Sequence, residues 1–138
     1  MSNDTSTEMA IKAEADIVLV RRAARDAAQR AGFSPTDVTR IVTACSEMAH
    51  NIFKFAGQGA MRWRPIEASG RPGLELVFQD NGPGIADINL AMQEGYTTSD
   101  GLGMGLPGAK RLVDEFHINS VAGQGTTVTL KKWLRPPQ

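Results

Sequence analysis

Three short segments of this 138-residue chain combine side chains and spacings that could do chemistry. Ser46-Glu47-Met48-Ala49-His50-Asn51 falls within a strongly helical stretch, so Glu47 and Asn51, four residues apart, stack on one helix face. Lys54, three residues beyond Asn51, joins them. An acid, an amide and an ammonium so placed suit hydroxyl activation, Mg²⁺ ligation and phosphate contact. The same pattern also describes an ordinary solvated helix face. Asp80-Asn81-Gly82-Pro83-Gly84-Ile85 follows the apolar run Leu76-Val77-Phe78. These are the usual turn formers. They also put an acid at a strand end, beside glycines that let a flat base approach the backbone, where a carboxylate could accept the amino N–H of adenine. Gly101-Leu102-Gly103-Met104-Gly105-Leu106 sets glycines at alternate positions just before a helix, whose unpaired N–H groups and positive dipole end suit phosphate. The spacing matches neither the dinucleotide-fold fingerprint nor a P-loop.

The elements that must position these segments are written in the hydrophobic pattern. Met9 to Ala15 alternates weakly, as a strand with one buried face would. Asp16 is placed to cap a helix running to Ala31 and closed by Gly32, with Ile17, Val20, Ala24, Ala27, Ala28 and Ala31 as its inner stripe. Ser34-Pro35-Thr36-Asp37 supplies a hydroxyl cap, a proline at the first helical position and an acid in the first turn. Val38, Ile41, Val42, Cys45, Ala49, Ile52 and Ala56 then recur at helical steps until Gly57. With the stripe centred near Cys45, Glu47 and Asn51 are expected on the far side of this helix. Ala60 to Ala68 and Leu74 to Gln79 predict strands joined by a turn over Ser69-Gly70-Arg71-Pro72-Gly73. A short helix is expected over Ile88 to Glu94, a loop over Gly95 to Gly101 and a helix from Leu106 to Phe116. Ile118 to Ala122 and Thr126 to Trp133 then form a terminal hairpin, and Pro136 and Pro137 end the ordered chain. Residues 1–8 are expected as a disordered tail and residues 9–134 as a single domain. The fold class is α+β: a two-layer sandwich of a mixed, mostly antiparallel sheet covered on one face by helices.

Composition narrows the function. The length suits one domain with a proper core, and 41% apolar with 22% charged residues is ordinary for a globular protein. Fifteen basic and fifteen acidic residues cancel, so neither nucleic acid nor an anionic membrane is expected as a partner. Ile17 to Val20 is too short for a signal region or a membrane span, and a cytoplasmic location is expected. The single cysteine, Cys45, allows no internal disulfide and reads as a core thiol. His50 and His117 lack partners at metal-ligand spacing, Trp63 and Trp133 are expected to pack on strands, and Arg21, Arg22 and Arg25 are expected as a solvated basic edge, the alternative being a docking surface for an acidic partner.

Taken in order and with their spacing, these segments resemble the Bergerat-fold ATPase and kinase superfamily, which includes gyrase, the Hsp90 chaperone, histidine kinases and MutL. Glu47 to Asn51 is similar to its N-box, Asp80 to Gly84 to its first glycine box, and Gly101 to Gly105 to its second. Gly123-Gln124-Gly125-Thr126 resembles the last motif. The tracts Gly95-Tyr96-Thr97-Thr98-Ser99, Gly105 to Leu112, Asp114-Glu115-Phe116 and Asn119 to Gly123 are similar to the small anti-sigma-factor serine kinases, in particular the stressosome switch-protein kinases.

The resemblance implies a role for each matched residue. Glu47 would be the general base for the attacking hydroxyl and Asn51 the Mg²⁺ ligand. Asp80 would read adenine, with Gly82, Gly84 and Ile85 along that wall and Thr126 behind it. Gly101, Leu102, Gly103, Met104 and Gly105 would line the phosphates of ATP. Lys54 stands where many histidine kinases carry a phosphate-contacting base, although in stressosome kinases this position can be apolar. The implied activity is ATP- and Mg²⁺-dependent phosphorylation of STAS-domain partner proteins on serine or threonine in a partner-switching stress or sigma-factor pathway. The alternative is a nucleotide-gated module that activates a PP2C-type phosphatase or sequesters a sigma factor without phosphotransfer.

Overall fold

The computed structural model describes residues 6–84 and 105–135. Strand β1 (Thr7–Ile11) leads into helix α1 (Asp16–Ala31) and helix α2 (Pro35–Phe55). Strands β2 (Gly59–Ala68) and β3 (Arg71–Asp80) follow, then helix α3 (Gly105–Leu112) and strands β4 (Glu115–Val121) and β5 (Gly125–Trp133). The five strands form one sheet in the order β1-β2-β3-β5-β4, and all four pairings are antiparallel. The expected α+β layering is present, with the sheet antiparallel throughout the described residues.

The core follows from alternation on the strands. Met61, Leu74, Leu76, Phe78, Val128 and Leu130 turn toward the helices and are buried. They meet Val20, Ala24 and Ala28 of α1 and Ile41, Cys45, Ala49 and Ile52 of α2. Small residues on α1 let it lie close to α2. Both helices end as their sequences direct. Ser34 Oγ accepts the Asp37 N–H at 3.2 Å, and Gly32 closes α1 in a left-handed conformation at φ 96°.

Several boundaries differ from the sequence expectations, each for a visible reason. The first strand takes in Thr7 and Glu8, assigned above to the tail, because they pair with Trp63 and Arg62 of β2. It stops at Ile11 rather than Ala15, because the Asp16 carboxylate accepts the N–H groups of Lys12 at 2.8 Å and Ala13 at 3.0 Å. Asp16 therefore organises the turn before α1, while the N-cap position itself is Ala15. The last helix ends at Leu112, and the expected helical Phe116 lies on β4, where it pairs with Leu130. Here Asp114 ties the chain to β5: its N–H reaches the Lys131 carbonyl at 3.0 Å and its Oδ2 accepts the Trp133 N–H at 2.8 Å.

A buried ion cluster locks the first turn of α2 to the sheet. Lys132 lies on the helix-facing side of β5 and is 3% exposed, with Nζ 3.7 Å from both Asp37 Oδ1 and Asp114 Oδ1. Asp37 also receives Arg40 at 3.0 Å. Among the described residues no helix is long and apolar enough to cross a membrane.

Candidate active site

Helix α2 carries the chemical residues of the site, and α1 and α3 flank it. Arg21 Nε of α1 donates to Ser46 Oγ at 2.9 Å, fixing one edge of α2. On the other edge Gly105, the first residue of α3, donates its N–H to Glu47 Oε1 at 3.1 Å. Glu47 is 6% exposed, so it does not stand on an open far face as its spacing from Cys45 suggests. The physical reason is that α2 is packed by the sheet, by α1 and by α3, and the first residue of α3 meets Glu47. A carboxylate against the first amide of a helix also meets the positive end of its dipole. Asn51 is half-buried one turn further on, and half-buried Lys54 has its Nζ 5.3 Å from the centre of the Phe55 ring.

Asp80 closes strand β3, and its Oδ1 accepts the Gly82 N–H at 2.9 Å. This bond shapes the turn that follows, and neighbouring elements hold that turn tightly. A Cβ on Gly82 would lie 2.6 Å from the Ala56 Cβ at the end of α2. At Gly84, with φ 76°, a Cβ would strike the Val121 carbonyl oxygen, and at Gly125, with φ 123°, it would strike that of Asp80. Gly123 N–H donates to the Pro83 carbonyl at 2.7 Å. The first glycine box and the β4–β5 turn therefore pack backbone to backbone, and glycine is what permits both the torsion and the approach. The result is a tightly held backbone turn next to the Asp80 carboxylate.

Thr126 stands directly across the ladder from Asp80. Its hydroxyl lies 2.8 Å from Ser120 Oγ, which also reaches the Gly125 carbonyl at 3.3 Å. Ser120 is thus a site-supporting residue to which the sequence reading gave no role, although it lies in the Asn119 to Gly123 tract similar to the anti-sigma-factor kinases. Of the second glycine box the described residues include only Gly105, which is buried with φ 54°. Ile85, Gly101, Leu102, Gly103 and Met104 lie outside the described residues, as do the expected helix over 88–94 and loop over 95–101.

The remaining singled-out residues sort as follows. Cys45 is fully buried, and burial pushes its thiol pKa far up. Trp63 is half-buried against the core, and Trp133 Nε1 donates to Glu115 Oε2 at 2.7 Å. Arg22 and Arg25 are exposed, while Arg21 serves the Ser46 bond. His117 is exposed, 3.8 Å from Glu115. His50 is half-buried, and its Nε2 is shut from water with no hydrogen-bond partner. Among the described residues no group of three or more histidine, cysteine, aspartate or glutamate side chains is placed to hold a metal ion. A metal here would need an amide such as Asn51 together with phosphate and water oxygens, the ligand set that Mg²⁺ accepts.

This arrangement, an acid and an amide one turn apart on a helix whose C-terminal end meets the turn after a strand-end aspartate, defines a class. Residues 11–132 match the histidine kinase-like ATPase domain family, and the chain belongs to it. The chain is 48% identical to the serine/threonine-protein kinase RsbT of Bacillus subtilis, over 96% of this chain and 99% of that protein. It is 35% identical to an anti-sigma F factor of Clostridium kluyveri over 70% of each chain. Among solved structures, the RsbU and RsbW domains of a Mycobacterium tuberculosis protein superpose with a TM-score of 0.61 at 21% identity, over 96% of this chain and 33% of that one. A mycobacterial sensor histidine kinase, MprB, gives 0.55 at 17% identity, over 96% of this chain and all of its own. At these identities the two structures speak for the fold alone.

Proposed function

We propose that this chain is an ATP- and Mg²⁺-dependent protein serine/threonine kinase that phosphorylates STAS-type partner proteins in a cytoplasmic partner-switching pathway. The near full-length similarity to a serine/threonine kinase supports the activity. The observation that carries the mechanism is the buried Glu47 carboxylate on the Gly105 amide, one helical turn from Asn51.

Glu47 Oε1 is held by the amide, which orients the carboxylate and leaves Oε2 to take the proton of the attacking hydroxyl. Asn51 would hold the metal through its side-chain oxygen, and Lys54 would meet a phosphate oxygen with its ammonium. Bound Mg²⁺ would supply neutralisation of charge across the β- and γ-phosphates. Asp80, steadied by Gly82 through Oδ1, accepts the adenine amino N–H with its other oxygen. Gly82 and Gly84 let the turn pack against Ala56 and the Val121 carbonyl, which holds the backbone beside Asp80 in place for the base. Thr126 and Ser120 brace the ladder position behind Asp80.

The test is transfer from γ-labelled ATP to purified STAS-domain proteins. Label on a serine or threonine that disappears with EDTA is the expected result. Stable nucleotide-dependent complexes without label would favour a second reading, a module that activates a phosphatase or sequesters a sigma factor. The similarity to an anti-sigma F factor supports that reading.

A further inference from the structure

Helix α1 buries Ile17, Val20, Ala24 and Ala28, while Val18 and Leu19 stand 48% and 46% exposed. Single exposed aliphatic residues are ordinary surface, but these two adjoin charge that nothing compensates. The chain as a whole is neutral, yet α1 carries Arg21, Arg22, Arg25 and Arg30 against only Asp16 and Asp26. Both acids are taken: Asp16 accepts the N–H groups of Lys12 and Ala13, and Asp26 pairs with Arg30 at 2.9 Å. Arg21 is committed to Ser46. Among the described residues Arg22 and Arg25 have no ion pair or hydrogen bond, whereas Arg40, Arg62, Arg64 and Arg71 are each held by one.

These four side chains form one face. At about 100° per residue, Arg25, Val18, Arg22 and Leu19 follow Arg21 around α1 in that order, over roughly 160°. Val18, Arg22 and Arg25 make an i, i+4, i+7 row about 10 Å long, the kind of ridge that a second helix packs against. Arg21 fixes where the face begins, because it reaches Ser46, the residue before Glu47. A protein interface of ordinary size covers about 800 Å² on each partner, a disc of roughly 16 Å radius, while packed helix axes lie only about 8–10 Å apart. A protein that brings a hydroxyl to Glu47 therefore extends far enough to engage α1.

We propose that this face of α1 docks the acceptor protein at a place separate from the reacting hydroxyl. A surface helix of the acceptor lays aliphatic side chains on Val18 and Leu19 and presents aspartate or glutamate, one turn along, to Arg22 and Arg25. The choice of partner rests on the kinase reading.

The experiment compares wild type, the double variant Arg22→Glu with Arg25→Glu, and the double variant Val18→Ser with Leu19→Ser. Steady-state transfer to the STAS-domain protein that the wild type labels is measured at low and at raised NaCl. Calorimetry with Mg²⁺ and a non-hydrolysable ATP analogue, thermal unfolding and sedimentation are run beside it. Each double variant is expected to raise KM for the acceptor by about 10-fold at low salt, with kcat and nucleotide affinity within about twofold and Tm close to wild type. Raised salt should increase KM for the wild type and the serine variant but not for the glutamate variant, because screening acts on the charged contact. An unchanged acceptor KM in either folded variant overturns the proposal; where one variant is destabilised, the other decides. A lowered Tm or nucleotide affinity in both overturns it too, since the residues would then serve the domain itself. A wild-type dimer that the serine variant dissociates gives the face to a second copy and overturns the choice of acceptor. No transfer by the wild type to any acceptor overturns the kinase reading and this inference with it; an active wild type beside indifferent variants overturns this inference alone.

Discussion

Gly125→Ala should damage the fold and the nucleotide site together. Gly125 has φ 123°, a torsion that costs an alanine about 1–3 kcal/mol. Its new methyl would also strike the Asp80 carbonyl oxygen and lie 2.9 Å from the Asn81 Cα and 3.0 Å from the Asp80 carbonyl carbon. These neighbours are backbone within a paired ladder and cannot rotate aside, so overpacking adds about 1–3 kcal/mol. The sum, about 2–6 kcal/mol, is a large share of the roughly 5–15 kcal/mol that keeps a domain folded. Relief by movement of β3 would displace Asp80, the residue assigned to adenine. Gly123→Ala is the control: φ is 80°, but nothing lies within 4 Å of the added atom, so only the torsional cost applies. Urea unfolding with ATP calorimetry on both variants measures the difference. Equal destabilisation by the two substitutions, or full ATP affinity in a folded Gly125→Ala protein, would refute the reasoning.

Lys132→Met leaves Asp37 and Asp114 without their shared cation and should cost about 3–5 kcal/mol in urea unfolding, toward the lower end because Arg40 still reaches Asp37. Asp80→Asn removes the charged acceptor assigned to adenine and should weaken ATP binding about 10- to 100-fold in calorimetry without unfolding the protein. The N–H groups of Lys12 and Ala13 hold the Asp16 carboxyl below its usual pKa. A depressed acid contributes stability above its unfolded pKa and loses it as pH falls through its folded pKa. Asp16→Ala should therefore be less stable than wild type near neutral pH, with the gap closing in acid below the ordinary carboxylate range, as read by thermal unfolding across pH.

How far the sequence revealed these features depended on whether they were local. Helix α2 was legible because Ser34, Pro35 and the apolar stripe from Val38 to Ile52 each state its presence without help from the rest of the chain. The β2–β3 hairpin was legible for the same reason. The first strand begins two residues and ends four residues earlier than expected because its register is set by β2, and a weak alternation does not fix its ends. Phe116 was misplaced because its spacing from Leu112 and Ala109 continues a helix, whereas the bonds of Asp114 to β5 redirect the chain. At the site, spacing put Glu47 and Asn51 on one face. It could not show that α3 would cover that face, since this burial comes from an element nearly sixty residues later. The pairing of Ser120 with Thr126 likewise exists only once the hairpin register is formed.

The central claim is that Glu47 is the base of a kinase, and Glu47→Gln in single-turnover phosphotransfer tests it most directly. Glutamine keeps an oxygen to accept the Gly105 N–H, so the packing of α2 against α3 survives while the proton acceptor is lost. Transfer from γ-labelled ATP to the STAS-type acceptor should fall by about 100- to 10,000-fold, the usual worth of a general base, with Mg²⁺-ATP affinity and Tm close to wild type. Transfer at the wild-type rate by a folded, nucleotide-binding Glu47→Gln protein would contradict the account.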